Sequence, residues 1–117
     1  MPPDRRSLIT ELLDYRRPAR EVAGDLARVP ARGEVINGVL SQAVLASMLA
    51  RVEQGQIAFS DLVDWAKEVE LLSDIDRKAG EEDVIADVLF EMASPEIDDR
   101  SEQRRLSEWK ARLSGTR

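Results

Sequence analysis

Histidine and cysteine are both absent from this 117-residue chain, and aromatic residues make up only 4% of it. Without cysteine there is neither a disulfide nor a thiol nucleophile, which suits a reducing compartment without requiring one. Without histidine the commonest general base and the commonest metal ligand are lost together. Nowhere do about 18 apolar residues follow one another, so no membrane-spanning helix is expected. The opening stretch MPPDRRSLITELLDYRR carries charge from Asp4 onward and has no apolar run of secretory length, which makes a cytoplasmic location the expectation. No fixed-period repeat and no low-complexity tract interrupts the chain.

What is present is charge and aliphatic side chains. Hydrophobic residues amount to 43%, enough for one modest core, and the length suits a single domain spanning residues 1–117. Charged residues reach 34%, above the roughly 25% of an average globular protein, and they are sorted along the chain. From Asp74 to Asp99 ten acids face two bases, Arg77 and Lys78. Residues 1–32 carry seven arginines against five acids, and residues 100–117 carry six bases against two acids. A negative centre between positive ends sets up a local field that selects partners, which an evenly acidic surface would not do.

The apolar spacing is helical almost throughout. Leu8, Ile9, Leu12 and Leu13 predict a short helix over about Ser7–Arg16. Pro18 fits the first turn of a second, with Val22, Leu26 and Val29 on its buried stripe and Pro30 as its stop. Arg32-Gly33 and Asn37-Gly38 mark a loop in which Val35 and Ile36 should tuck inward or form a brief extended segment. Leu40, Val44, Leu45, Met48, Leu49 and Val52 share one face behind a Ser41 cap, ending at Gly55. Ser60 then reads as the cap of a helix burying Leu62, Trp65, Ala66, Val69 and Leu72, stapled by Phe59; the two form an antiparallel hairpin. Val84, Ile85, Val88, Leu89 and Met92 follow a first turn of Glu81, Glu82 and Asp83, and Ser94-Pro95 closes that helix. Ile97 to Arg100 reads as a linker, and Ser101 opens a last helix with Leu106, Trp109 and Leu113 inward until Gly115. No strand of normal length is predicted, so the expected fold is all-α, a compact bundle of five or six short amphipathic helices around the hairpin.

Three groups of residues resemble chemical sites, and each departs from the pattern that its chemistry needs. Asp74-Ile75-Asp76 begins like a calcium loop, but the oxygen, glycine and glutamate that such a loop needs further on are Lys78, Ala79 and Ile85. Asp61, Asp64 and Glu68 share one helix face, as in magnesium-dependent nucleotide pyrophosphohydrolases, yet the facing acids do not follow the EExxE then ExxD order. A helix-turn-helix would present Asp61, Asp64, Glu68 and Glu70 to phosphates with only Lys67 in support, which repulsion forbids. No catalytic residue, metal or cofactor is therefore expected. Trp65 and Trp109 lie on apolar stripes and read as core. Phe90 falls one position off its stripe, beside Asp87 and Glu91, and an exposed ring there is a natural anchor within an acidic rim.

The piece LASMLARVEQGQIAFSDLVDWAKEVE, followed by VLFEMASPEI, resembles a group of small acidic bacterial helical proteins similar to the immunity proteins of tRNA-cleaving bacteriocin and contact-dependent inhibition systems. Gly55, Ile57, Trp65, Ala66, Leu89, Phe90, Glu91, Ala93, Pro95 and Ile97 carry the likeness, which covers roughly residues 45–97. The resemblance implies neutralisation of a toxin. The charge reading fits it independently, because a nuclease keeps a basic cleft that a rigid acidic surface can occupy. The expected contact set is Asp74, Asp76, Glu81, Glu82, Asp83, Asp87, Phe90 and Glu91, and the expected partner is a basic toxin nuclease domain, with no direct nucleic-acid or membrane contact. Two alternatives stay open. One is a helical adaptor or homodimer whose acidic centre meets the basic ends of a twin, and the other is the magnesium-dependent hydrolase.

Overall fold

The computed structural model describes residues 4–33 and 35–114, so the expected stop at Gly115 lies outside the described residues. The first helix, α1, spans Arg5–Leu13 and starts earlier than its apolar residues suggest, because Asp4 accepts the Ser7 N–H and serves as the cap. It ends with Tyr15 at φ 51, held by Arg16 N–H to Glu11 carbonyl and Tyr15 N–H to Leu12 carbonyl bonds. Pro18 stands at the cap of α2, Ala19–Leu26, whose Val22 and Leu26 are buried. Helix α3, Gln42–Glu53, is capped by Ser41 and stopped by Gly55 at φ 75, as its sequence predicts.

Helix α4, Phe59–Leu71, corrects the Ser60 cap: the cap is Ala58, two residues earlier, and the Asp61 carboxylate accepts the Ala58 N–H. Helix α5, Glu82–Ala93, is followed by a short 3-10 turn at Pro95–Ile97, and Ser101 caps α6, Glu102–Leu113. Leu8, Leu12, Leu45, Leu49, Leu62, Trp65, Ile85, Leu89 and Trp109 fill one continuous core, in which α4 packs most extensively on α5. Leu72, expected in that core, is only half-buried at the C-cap of α4. No helix among the described residues is long and apolar enough to cross a membrane.

The all-α bundle carries one addition that the sequence reading omits. Strands β1, Gly38–Leu40, and β2, Ile75–Arg77, pair in parallel with Gly38 opposite Ile75. Val35 and Ile36 do not tuck inward but lie exposed just before β1. Gly38 is required there by space: a Cβ would stand 2.6 Å from Ile9 Cγ2 on α1. The strand pair therefore presses against α1 and positions the turn that launches α5.

Candidate functional site

The eight expected contact residues divide into an inward and an outward set. Asp74 belongs wholly to the first. It is 2% exposed, and Arg5 grips it with Nε to Oδ2 at 2.6 Å and Nη2 to Oδ1 at 3.1 Å. Asn37 Nδ2 adds a third bond at 2.8 Å, while Arg5 Nη1 also donates to the carbonyls of Leu26 and Val29. Burial pushes the Asp74 carboxyl up, but the Arg5 and Asn37 hydrogen bonds outweigh it and hold the group below the usual carboxylate range. This ion pair ties α1, the end of α2 and the entry to β2 into one body, and it leaves Asp74 unable to meet a partner.

Glu91 is also taken. Arg112 donates to it twice, Nη2 to Oε1 at 2.5 Å and Nη1 to Oε2 at 3.1 Å, and Arg100 Nη2 and Trp109 Nε1 each reach Oε1 at 3.0 Å. The Arg112 hydrogen bonds, opposed by burial and reinforced by Trp109 and Arg100, bring its pKa down to about 2. Arg100 extends the cluster to Asp98 and Glu108, and Arg104 Nε donates to Glu108 at 2.9 Å. The expected linker from Ile97 to Arg100 is thus bolted between α5 and α6. Glu81 is half-buried and caps a different helix from its own, accepting the Gln42 N–H at 2.9 Å at the start of α3.

Asp76, Glu82, Asp83 and Asp87 form the outward set. All four are exposed, and none makes an ion pair with a described residue. Asp76 accepts the Arg77 N–H and Glu82 the Gly80 N–H, local bonds that fix the turn without neutralising it. Phe90 stands 52% exposed on the same helix. Asp83, Asp87 and Phe90 follow at steps of four and three, so they share one face of α5 with Cβ atoms of neighbours about 5–6 Å apart. Acids at the start of the helix also complement its dipole, which keeps this charge ordered at little cost.

The other clusters are committed to separate work. Asp61 serves as a cap and Asp64 stands 3.6 Å from Arg20, and among the described residues no three carboxylates gather closely enough to hold a metal. Much of the basic charge at the ends is spent inside the chain: Arg17 on Glu11 and Asp25, Arg5 on Asp74, Arg100 and Arg112 on Glu91. Arg105 is an arrangement that the sequence does not announce. It is 8% exposed, its guanidinium lies 4.7 Å from the Phe59 ring centroid, and its Nε and Nη1 find no acceptor among the described residues. Phe59 in turn stacks on Trp109, so it bridges α4 and α6 instead of stapling its own helix.

Comparisons with protein-family models, with curated proteins and with solved structures return no match.

Proposed function

We propose that this chain is an immunity-type inhibitor that docks a basic, nuclease-type toxin domain on the outward face of α5 and the turn before it. One observation carries the reading: Asp76, Glu82, Asp83 and Asp87 remain exposed and unpaired beside an exposed Phe90, although most arginines near the ends are drawn into internal ion pairs. A carboxylate array held on a packed helix imitates the negative charge of phosphates. Such an array speeds the encounter with a cationic cleft at low salt, and the apolar ring adds the buried contact that slows release. No group on this surface performs chemistry; inhibition follows from occupying the cleft.

The same internal pairing bears on the homodimer alternative. Arg5, Arg17, Arg100 and Arg112 already hold acids of their own chain, which withdraws them from a twin's acids, whereas Arg20 and Arg28, 88% and 82% exposed and each 3.6 Å from an acid, keep that alternative open.

The reading predicts a small basic nuclease domain encoded beside this chain. With that domain and tRNA as its substrate, an equimolar amount of the wild-type chain should stop cleavage. The triple variant Glu82→Lys, Asp83→Lys, Asp87→Lys should lose at least about 100-fold in inhibitory potency, a size in keeping with several like charges turned against a basic surface. Full inhibition by the triple variant would place the contact elsewhere.

A further inference from the structure

The five aromatic residues of the chain are not treated alike. Both tryptophans are buried with their indole N–H groups satisfied, Trp65 by the Leu12 carbonyl at 2.7 Å and Trp109 by Glu91 at 3.0 Å. The two half-buried rings each carry a guanidinium: Arg51 lies 6.0 Å from the Tyr15 centroid, and Arg105 lies 4.7 Å from that of Phe59. Phe90 is the most exposed of the five, and no cation of the described residues covers it. One turn before it on the same face stands Asp87, with Asp83 a further turn back, both without an ionic partner.

From this we infer that Phe90, Asp87 and Asp83 form a docking face for an arginine side chain of the partner protein, the guanidinium lying flat on the ring while its N–H fork meets the carboxylates. The inference rests on the acidic docking surface proposed above and names the side chain that the surface takes. Guanidinium fits this face better than ammonium for two reasons. It is planar and weakly hydrated, so it loses little on stacking, and its edge still presents donors to a carboxylate lying beside the ring. A lysine can satisfy either the ring or the carboxylate, but as a point charge it does not span both. An apolar partner side chain would cover Phe90 and leave Asp83 and Asp87 facing a dry surface without a counter-charge, which costs more than the ring gains.

The test uses the full chain, labelled with 15N, titrated with the peptide acetyl-Gly-Arg-Gly-Arg-Gly-amide and with its lysine counterpart. The arginine peptide should shift amides centred on residues 83–91. Its side-chain methylene protons should move upfield under the ring current, and it should bind about three to five times more tightly than the lysine peptide, the ratio expected of a cation–π contact at an exposed site. Phe90→Leu should abolish that preference while leaving lysine-peptide binding in place, and its unchanged thermal midpoint would exclude misfolding. Equal binding of the two peptides, indifferent to Phe90→Leu, would overturn the arginine assignment while shifts on α5 kept the acidic surface. Absence of shifts on α5 with either peptide would overturn both.

Discussion

Arg5→Ala should lower the stability of the folded chain by about 3–5 kcal/mol, the cost of stripping one partner from a buried ion pair. Asp74 is 2% exposed, and once the guanidinium is gone its charge keeps, among the described residues, only the Asn37 amide as a side-chain donor. The carbonyls of Leu26 and Val29 lose their Arg5 donor in the same step. Against a typical total of about 5–15 kcal/mol this is a large fraction, so the variant should unfold at a much lower urea midpoint. Asp74→Ala should cost a similar amount. The double variant should cost clearly less than the sum, because the second removal takes away the group that the first left unpaired. An Arg5→Ala midpoint close to wild type would mean that the pair does not hold the α1, α2 and β2 junction together.

The second large effect is a loss of stability in acid centred on Glu91. Its pKa is held at about 2 in the folded chain, well below its ordinary value of 4.5. A depressed carboxylate stabilises the fold fully above the ordinary value and loses that contribution as pH falls toward the folded value, here between about 4.5 and 2. The shift corresponds to about 3 kcal/mol as an upper figure, nearer 2 because the side chain is 31% exposed and partly screened. Urea titrations between pH 6 and pH 2.5 should therefore show a falling midpoint in the wild type. Glu91→Gln should start lower at pH 6, since Arg100 and Arg112 lose their shared anion, and should fall less steeply. A Glu91→Gln profile parallel to wild type would assign the acid sensitivity to other carboxylates, such as Asp74.

Helices were legible in the sequence wherever an apolar stripe and its cap agreed. Ser41, Gly55 and Ser101 sit where the periodicity of α3 and α6 requires them, because such boundaries are decided by residues within one turn. At Asp4 and Ala58 the pattern misleads for a local reason: arginines open α1 ahead of its first apolar residue, and Asp61 caps α4 from inside the helix. The strand pair was not legible, since three residues are too few for an alternating pattern and their pairing joins segments 37 positions apart.

The candidate surface was legible in part for the same physical reason. Sequence gives the sign of a charge and the face it occupies on a helix, which suffices for Asp83, Asp87 and Phe90. It does not give the partner that folding brings across space. Arg5 lies 69 residues from Asp74, and Arg112 lies 21 from Glu91, so the acids that fold inward looked the same as those that remain outside.

The central claim is that the unpaired acids of α5, and not those bound within the chain, draw in a cationic partner. The rate of association with the basic nuclease domain proposed as its partner, followed by stopped-flow across ionic strength, tests it most directly. Neutralising Glu82, Asp83 and Asp87 to their amides should slow association at low salt by about tenfold or more and flatten its salt dependence, with a smaller change in dissociation. An association rate and salt slope unchanged from wild type in a folded triple variant would contradict the account.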